Sequence, residues 1–535
     1  MHSPDKGLFF RVAQQYTSHM RFRSFFFLVS LLCLPARVLA GEVTVRLQDL
    51  QQVAPGMQVA TGLEIPPTDV SLPIVAATSD TQVATLLRSY DARGLSNSFE
   101  GILYDNRDRG HSRLDPKLYP RLHHLKYGDA LEQKDADYGL AGMILYPAVV
   151  FGNSSTAITG GVEARSLPRL AMTSRLGREL SARLYRNNHI YIYPEHRDFD
   201  EVDRFPAHWP YHIVSQGSSG SDRPFMRAIA ATLAAFPSDT LDYMKENGLV
   251  APTLQMILRR NLRPVNQLEH YLAGSAHRPV LNGSEVRPER MVGHAAALRP
   301  EDIPPMAQIA VIEEDFRDAA GLAQMSEKLY DTPSAVARIW RGFEGIKTLT
   351  VSAENTVDPM GKPVTYMWRL LQGNPDRVRI TPVGDNGQQA RISIAWHDPF
   401  DVQVTSAEGH RHIQTSRVDI GLFASSGREQ SAPAILSISF PAHQIRTYGR
   451  SNTGGLRLNS INYDALGRDT YYDPVLHWSA PWTDTAIVDT SGTLTEWRRA
   501  FSGDGRVETT VPADNLFNSH ELSRVNGRPA LDYVQ

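Results

Sequence analysis

Near residue 346 the apolar pattern of this chain changes period, and that change constrains its fold more than any other feature. Up to about Phe343, stretches of strand length (Leu72–Ala77, Phe99–Tyr104, Met143–Phe151, His189–Tyr193 and Tyr211–Ser215) alternate with stretches of helical period. The helical ones are Thr81–Tyr90, Ser174–Arg186 with Leu176, Leu180 and Leu184 on one face, Arg223–Phe236, Thr240–Glu246 and Thr253–Arg260. Ser238 is a candidate N-cap, and Asn247-Gly248 a stop signal for the helix between them. Strands separated by helices predict a βαβ-type region with a partly parallel sheet. A short helix is expected near Ser334–Arg341; from Ile346 onward, short alternating runs split by Asn386-Gly387 and Ser426-Gly427 predict only β-structure. The expected organisation is an α/β (or α+β) domain at 41–343, an all-β sandwich at 346–440 and a β-rich C-terminal module at 441–535.

Met20 to Ala40 has the layout of a secretory signal: Arg21 and Arg23, an apolar run from Phe25 to Leu34, and Val38-Leu39-Ala40 before Gly41. Residues 1–19 are polar and read as an upstream extension. The run is too short for a bilayer, which takes about 20 apolar residues, so export to a periplasm or to the outside is expected. Leu32 argues against lipidation of Cys33, the only cysteine. The mature chain therefore has no thiol or disulfide chemistry, and its stability must come from burial. Loss of Lys6, Arg11, Arg21, Arg23, Arg37 and Asp5 reduces the 55 basic and 58 acidic side chains to 50 and 57, a net charge of −7. A nucleic-acid partner is not expected without a basic field, nor is a second membrane span.

One segment carries a family resemblance. Leu349–Ala353, Asp358-Pro-Met-Gly361, Val364-Thr-Tyr-Met-Trp368 and the alternating Ala390–Trp396 resemble a PKD-type immunoglobulin-like sandwich, with Trp368 as its buried tryptophan and Arg417–Phe440 as its last hairpin. Met360 stands where that family often has a second acidic residue, which argues against calcium there. The resemblance implies an accessory module of an exported enzyme acting on polysaccharides or proteins, or of a surface protein. Further on, Tyr463-Asp-Ala-Leu-Gly467-Arg468 is similar to a YD repeat, but with Asp489-Thr-Ser-Gly492 it makes too few copies for a repeat shell and both are read as hairpin turns. Trp478, Trp482, Trp497, Tyr471 and Tyr472 could stack sugars, although core packing explains them better.

Chemistry is expected where apolar strands end in polar clusters. Phe99–Tyr104 runs into Asp105-Asn106-Arg107-Asp108-Arg109-Gly110-His111, Met143–Phe151 into Gly152-Asn153-Ser154-Ser155-Thr156, His189–Tyr193 into Pro194-Glu195-His196-Arg197-Asp198, and Tyr211–Ser215 into Gln216-Gly217-Ser218-Ser219-Gly220-Ser221-Asp222. If the strands are parallel neighbours, all four clusters lie on one rim, where open α/β sheets bind ligands; ordinary loop polarity is the competing explanation. Gln216–Asp222 could present backbone N–H groups to an anion at a helix start, or be a turn with an N-cap from Ser221 or Asp222. It is neither a G-x-S-x-G elbow nor a P-loop. His196 could act as general base towards Ser218 or Ser219, oriented by Asp198 or Asp108, with Glu195 alongside; a solvated loop with internal ion pairs is the plainer reading.

Asn106, Arg107, Asp108, His111, Asn153, Ser154, Ser155, Arg197, Gln216, Gly217, Gly220 and Ser221 are the candidate binding residues, with Arg107 or Arg197 giving a positive lining. His111, His189, Glu195 and His196 match no compact zinc signature, Gly409-His-Arg-His412 reads as an exposed hairpin tip, and no cofactor motif is found. The expected function is a glycan-associated hydrolase of a polysaccharide or of its ester or sulfate substituents, with an acidic or sulfated glycan as the expected partner. The alternatives are a non-catalytic surface or carbohydrate-binding protein and a periplasmic anion-binding protein.

Overall fold

The structure is a computed structural model and describes residues 41–140, 143–158, 165–322, 324–406, 409–451, 455–465, 482–501, 508–512, 520–525 and 528–533. The expected leader and Gly467, Arg468, Tyr471, Tyr472 and Trp478 lie outside these residues.

Six strands make the N-terminal sheet: β1 (Glu42–Val45), β2 (Ile102–Asn106), β3 (His123–Tyr127), β4 (Val149–Asn153), β5 (His189–Pro194) and β6 (His212–Ser215). Their spatial order is β1-β3-β2-β4-β5-β6 and every pairing is parallel. Side chains alternate between two cores, as strand geometry requires. Ile102, Tyr104, Val149, Phe151, Ile190 and Ile192 face one, with the helices Gln82–Ala92, Arg223–Ala235 and Pro288–Ala297. Leu103, Val150, Tyr191 and Tyr193 face the other, with Leu180 and Leu184 of Arg175–Arg186. A sheet covered on both faces explains the near-continuous apolar strands. Gly152 is needed where β4 passes β2: a Cβ there would lie 2.2 Å from the Asp105 carbonyl oxygen and 2.7 Å from the Tyr191 ring.

The expected helices are present, starting at Gln82, Arg175, Arg223, Ser238 and Val250, and Asn247-Gly248 ends its helix with Gly248 at φ 67°. Two expectations fail. Leu72–Ala77 forms no strand: Pro73 has no N–H for a ladder, and Ile74 and Val75 are buried from a loop instead. The helix expected at Ser334–Arg341 is the strand Ala335–Ile339, buried throughout and paired on both sides, so tertiary pairing overrides the helix propensity of its alanines.

The β-rich C-terminal region begins with two sheets around a shared core. One runs Ala310–Glu314, Ile346–Ser352, Gln389–Ala395, Val378–Val383 in space; the other Lys328–Thr332, Ala335–Ile339, Ala434–Ser439, Arg417–Ser425, Thr365–Gln372. Val351, Trp368, Ile392, Trp396, Ile420 and Leu436 meet between them, and the Trp368 indole N–H donates to the Gly387 carbonyl at 2.8 Å. Strands before residue 340 belong to both sheets, so the expected boundary at 343–346 falls inside the two-sheet unit. Asp358 accepts from the N–H groups of Met360 (2.8 Å) and Lys362 (3.3 Å), capping its own turn. A further antiparallel sheet (Ile445–Arg450, Leu456–Asn462, Trp482–Val488, Leu494–Phe501, Glu508–Pro512) follows in order. Trp482 and Trp497 are buried in its core with Ile461 and Tyr463, as packing residues. Asp489–Gly492 is a hairpin turn closed by Asp489 accepting from Ser491 and Thr493 N–H.

No helix among the described residues is long and apolar enough to cross a membrane.

Candidate functional site at the rim of the parallel sheet

Because β2, β4, β5 and β6 are parallel neighbours, their carboxyl ends and the four polar clusters share one rim. The chain leaves β2 towards β3 on one side and returns at β4 on the other, so the switch point of the sheet lies between β2 and β4. A crevice forms there because the two connections diverge. Asn106 and Asn153 sit opposite each other across it.

These asparagines organise the site. Asn153 Oδ1 accepts from the Tyr104 hydroxyl at 2.6 Å and from Asn106 Nδ2 at 3.2 Å. Its Nδ2 donates to Asp222 Oδ2 at 2.8 Å. Asn106 Oδ1 accepts from Gly110 N at 2.7 Å, folding the loop after β2 back over the strand end. That loop brings Asp108 to Ser155, whose hydroxyl donates to Asp108 Oδ2 at 3.2 Å, with His111 Nδ1 at 3.4 Å from the same hydroxyl. His196 closes the group from β5, half-buried beside Ser155 and His111, and its buried Nε2 has no partner among the described residues.

Burial dominates the electrostatics. It raises Asp108 to about 6, helped by the charge of Asp222 and opposed by Asn106 and Ser155. It raises Asp222 against the Asn153 hydrogen bond, and it lowers His196, with the His111 charge acting in the same direction. Burial also raises Glu195, to about 7, helped by Asp200. Asp108, raised to about 6, lies with the His196 imidazole at one crevice, and the two groups can donate and accept protons there.

Other expected site residues have different places. Arg107 is fully buried on the opposite face of β2, where strand alternation puts it with Asp105; it donates to the Tyr127 hydroxyl (2.9 Å) and to the Gly139 (2.9 Å) and Ala136 (2.8 Å) carbonyls, so it cannot line the rim. Asp198 does not orient His196: it is buried, 3.4 Å from Arg169 and bonded by Ser166 N. Glu195 ties loops together, accepting from Gly217 N at 3.0 Å and Phe199 N at 3.2 Å. The Gln216–Asp222 loop therefore already holds an internal carboxylate. Gln216 N and Ser221 N are also engaged, by the Leu281 and Ser218 carbonyls, and Gly220 turns the chain at φ 93°.

Ser218 and Ser219 are exposed, and no hydrogen bond joins either to His196. The Ser221 hydroxyl pairs with Ser215 at 2.8 Å, and Ser154 is buried with its hydroxyl on Thr156 at 3.3 Å. Arg197 is exposed, its carbonyl accepting from Arg204 at 2.6 Å. His189 lies at the far end of β5, its Nε2 accepting from Tyr146 N at 3.0 Å. No group of three or more potential metal-binding side chains occurs among the described residues.

The site also includes residues that sequence reasoning missed. Asp222 stands at the N-cap of Arg223–Ala235 but makes no side-chain cap, its carboxylate going to Asn153 instead; its place beside a glycine-rich loop was the available signal. Tyr104 gave none, since an aromatic near a strand end is ordinary. An open cleft of about 760 Å³ adjoins the rim, lined by Asn106, Arg109, Arg113, Lys126, Asp135 and Asp137 among others. Arg109 pairs there with Asp135 and, at 3.2 Å, with Asp137, so the lining carries both signs.

No family model matches the chain, and no curated protein matches it in sequence. Among solved structures it is similar to a nucleoside hydrolase-related hypothetical protein from Saccharophagus degradans described as associated with carbohydrate metabolism, at 12% identity over 55% of this chain and 71% of that one. The TM-score is 0.19, too low for functional inference.

Proposed function

We propose that this protein is an exported hydrolase of a glycan or of a substituent on it, with its reaction centre between β2 and β4. The observation that supports this reading best is the joining of Asp108, Asn153, Ser155 and Asp222, from three separate loops, with His196 alongside, at the switch point of a parallel sheet. In this reading Asp108 gives or takes a proton, His196 moves a second one, and the Asn106–Asn153 pair holds the strand ends that frame a crevice for a hydroxyl-rich substrate. The glycan part rests on the company kept by the PKD-like modules that 346–440 resembles. The mixed charge of the adjoining cleft suits hydroxyl groups, which donate and accept, better than a polyanion. An anion-binding role for Gln216–Asp222 is less well supported, because Glu195 occupies the Gly217 N–H.

The test is turnover by the mature chain on a panel of aryl glycosides and of acetylated and sulfated saccharides. Asp108→Asn and His196→Gln are each expected to lower any turnover by about 10²–10⁴-fold with melting unchanged. Undiminished turnover in both variants refutes the assignment.

A further inference from the structure

The β-sandwich is more than an appendage to the α/β domain. We propose that it positions His196, through Arg411 and Arg417 acting on the Phe199–Phe205 strap; the inference rests on the reading of the rim as the reaction centre.

The need for such a device lies in the His196 turn. Asp198 N donates to the Glu195 carbonyl at 3.1 Å, and the two central residues have φ 39° (His196) and φ 74° (Arg197). Turns with two successive left-handed residues favour Asn-Gly, because a Cβ is strained there. Each such non-glycine residue is strained and persists only where its surroundings over-determine it. On its own, Glu-His-Arg-Asp would relax to another turn and carry the imidazole away from Ser155.

What over-determines the turn comes largely from more than two hundred residues later. Asp203 N donates to the Gln414 carbonyl at 2.9 Å and Gln414 N to the Glu201 carbonyl at 3.0 Å, so the strap makes one parallel bridge, Val202 to Gln414, to the hairpin Phe400–Ser406/Gly409–Thr415, a separate two-stranded sheet inserted in sequence between the sandwich strands Gln389–Ala395 and Arg417–Ser425. Arg411 Nη2 donates to the Phe199 carbonyl at 2.9 Å, and its guanidinium lies 6.0 Å from the Phe199 ring. Arg417 Nη1 donates to the Phe205 carbonyl at 2.7 Å and pairs with Asp203 at 2.9 Å. The strap returns to the turn twice: Phe199 N donates to the Glu195 carboxylate, and Arg204 N to the Asp198 carbonyl at 2.8 Å. Arg411 and the Glu195 carboxylate thus hold opposite sides of the Phe199 peptide links, immediately after the turn. Neither arginine touches the crevice; both are positioning residues.

The experiment uses the full chain carrying [13Cε1]histidine, with the His196 resonance assigned by its absence from His196→Gln. Arg411→Ala, at a half-buried position, is expected to move or broaden that resonance while those of the buried His189 and His212 stay in place. Arg411→Lys is expected to restore it. Deuterium uptake in the same Arg411→Ala protein should rise in peptides covering 196–205 and nowhere else in the α/β region. An unmoved His196 resonance, or uptake unchanged at 196–205, overturns the proposal. Should the resonance move while His196→Gln leaves turnover intact, the strap stands as a holder of the turn and the catalytic reading of His196 is what fails.

Discussion

Removing Arg417 should destabilise the protein more than any other single change at the junction between the α/β region and the sandwich. The side chain is 1% exposed, and its two partners are as deep: Asp203 at 0% and Asp419 at 2%. After Arg417→Ala, Asp203 keeps only the Phe205 N–H at 3.0 Å, and Asp419 only the Ser437 hydroxyl at 2.6 Å among these contacts. Leaving a buried charge uncompensated costs about 3–5 kcal/mol. By comparison, Arg411→Ala loses one charged hydrogen bond at a half-buried position, about 1.5–3 kcal/mol at most.

The arginine loss should grow as pH rises. Burial already raises Asp203 and Arg417 opposes that shift, so without the arginine the carboxyl is held higher still. A group whose folded pKa lies above its unfolded one contributes stability at low pH and loses it as pH rises through the folded value. The Arg417→Ala penalty should therefore shrink between pH 8 and pH 5. Urea unfolding followed by tryptophan fluorescence reads this as a midpoint shift at constant slope. The triple variant Arg417→Met, Asp203→Asn, Asp419→Asn should recover much of the loss, because no charge is then stranded. A penalty under about 1 kcal/mol at pH 8, or one independent of pH, would refute the reasoning.

Glu195 supplies a second pH test. Its carboxyl is raised to about 7 by burial, so in the wild type its stabilising contribution is complete below its unfolded value and is lost as pH rises through 7. Glu195→Gln keeps an acceptor for Gly217 N but cannot ionise. Relative to wild type it should melt higher at pH 8 than at pH 5, and an equal difference at both pH values would count against a buried, raised carboxyl. Gly152→Ala should lower the unfolding free energy by about 1–3 kcal/mol, read as a lower urea midpoint, since the new methyl meets backbone at Asp105 and the Tyr191 ring rather than a movable chain end. A neutral result there would mean that β2 and β4 can separate at the switch point.

Much of the rim was legible because polarity and period are local properties. Runs such as His189–Tyr193 announce buried strands, and the clusters after them announce where the strands end; once the sheet is parallel, one rim follows. Arg107 was misplaced on the rim with Asn106, although a period of two applied past the strand end puts it with Asp105 on the opposite face. The helix starting at Arg175 was legible from its local period, with Ser174 capping it by accepting from Gly177 N at 3.3 Å.

By itself the sequence determined where apolar surface must be buried, where the chain turns, and that with a single cysteine no disulfide can form within the chain, so that burial must supply stability. It could not determine which strand lies beside which, because strand order is settled by contacts between segments far apart in the chain. That order turned the Ala335–Ile339 segment into a strand by pairing it with Ala434–Ser439, and sent the Asp222 carboxylate to Asn153 instead of its own helix. It also placed Arg411 and Arg417 behind the His196 turn. Pattern reports what a residue's neighbours in sequence require, whereas the partner of a carboxylate or an imidazole is fixed only when distant segments pack together.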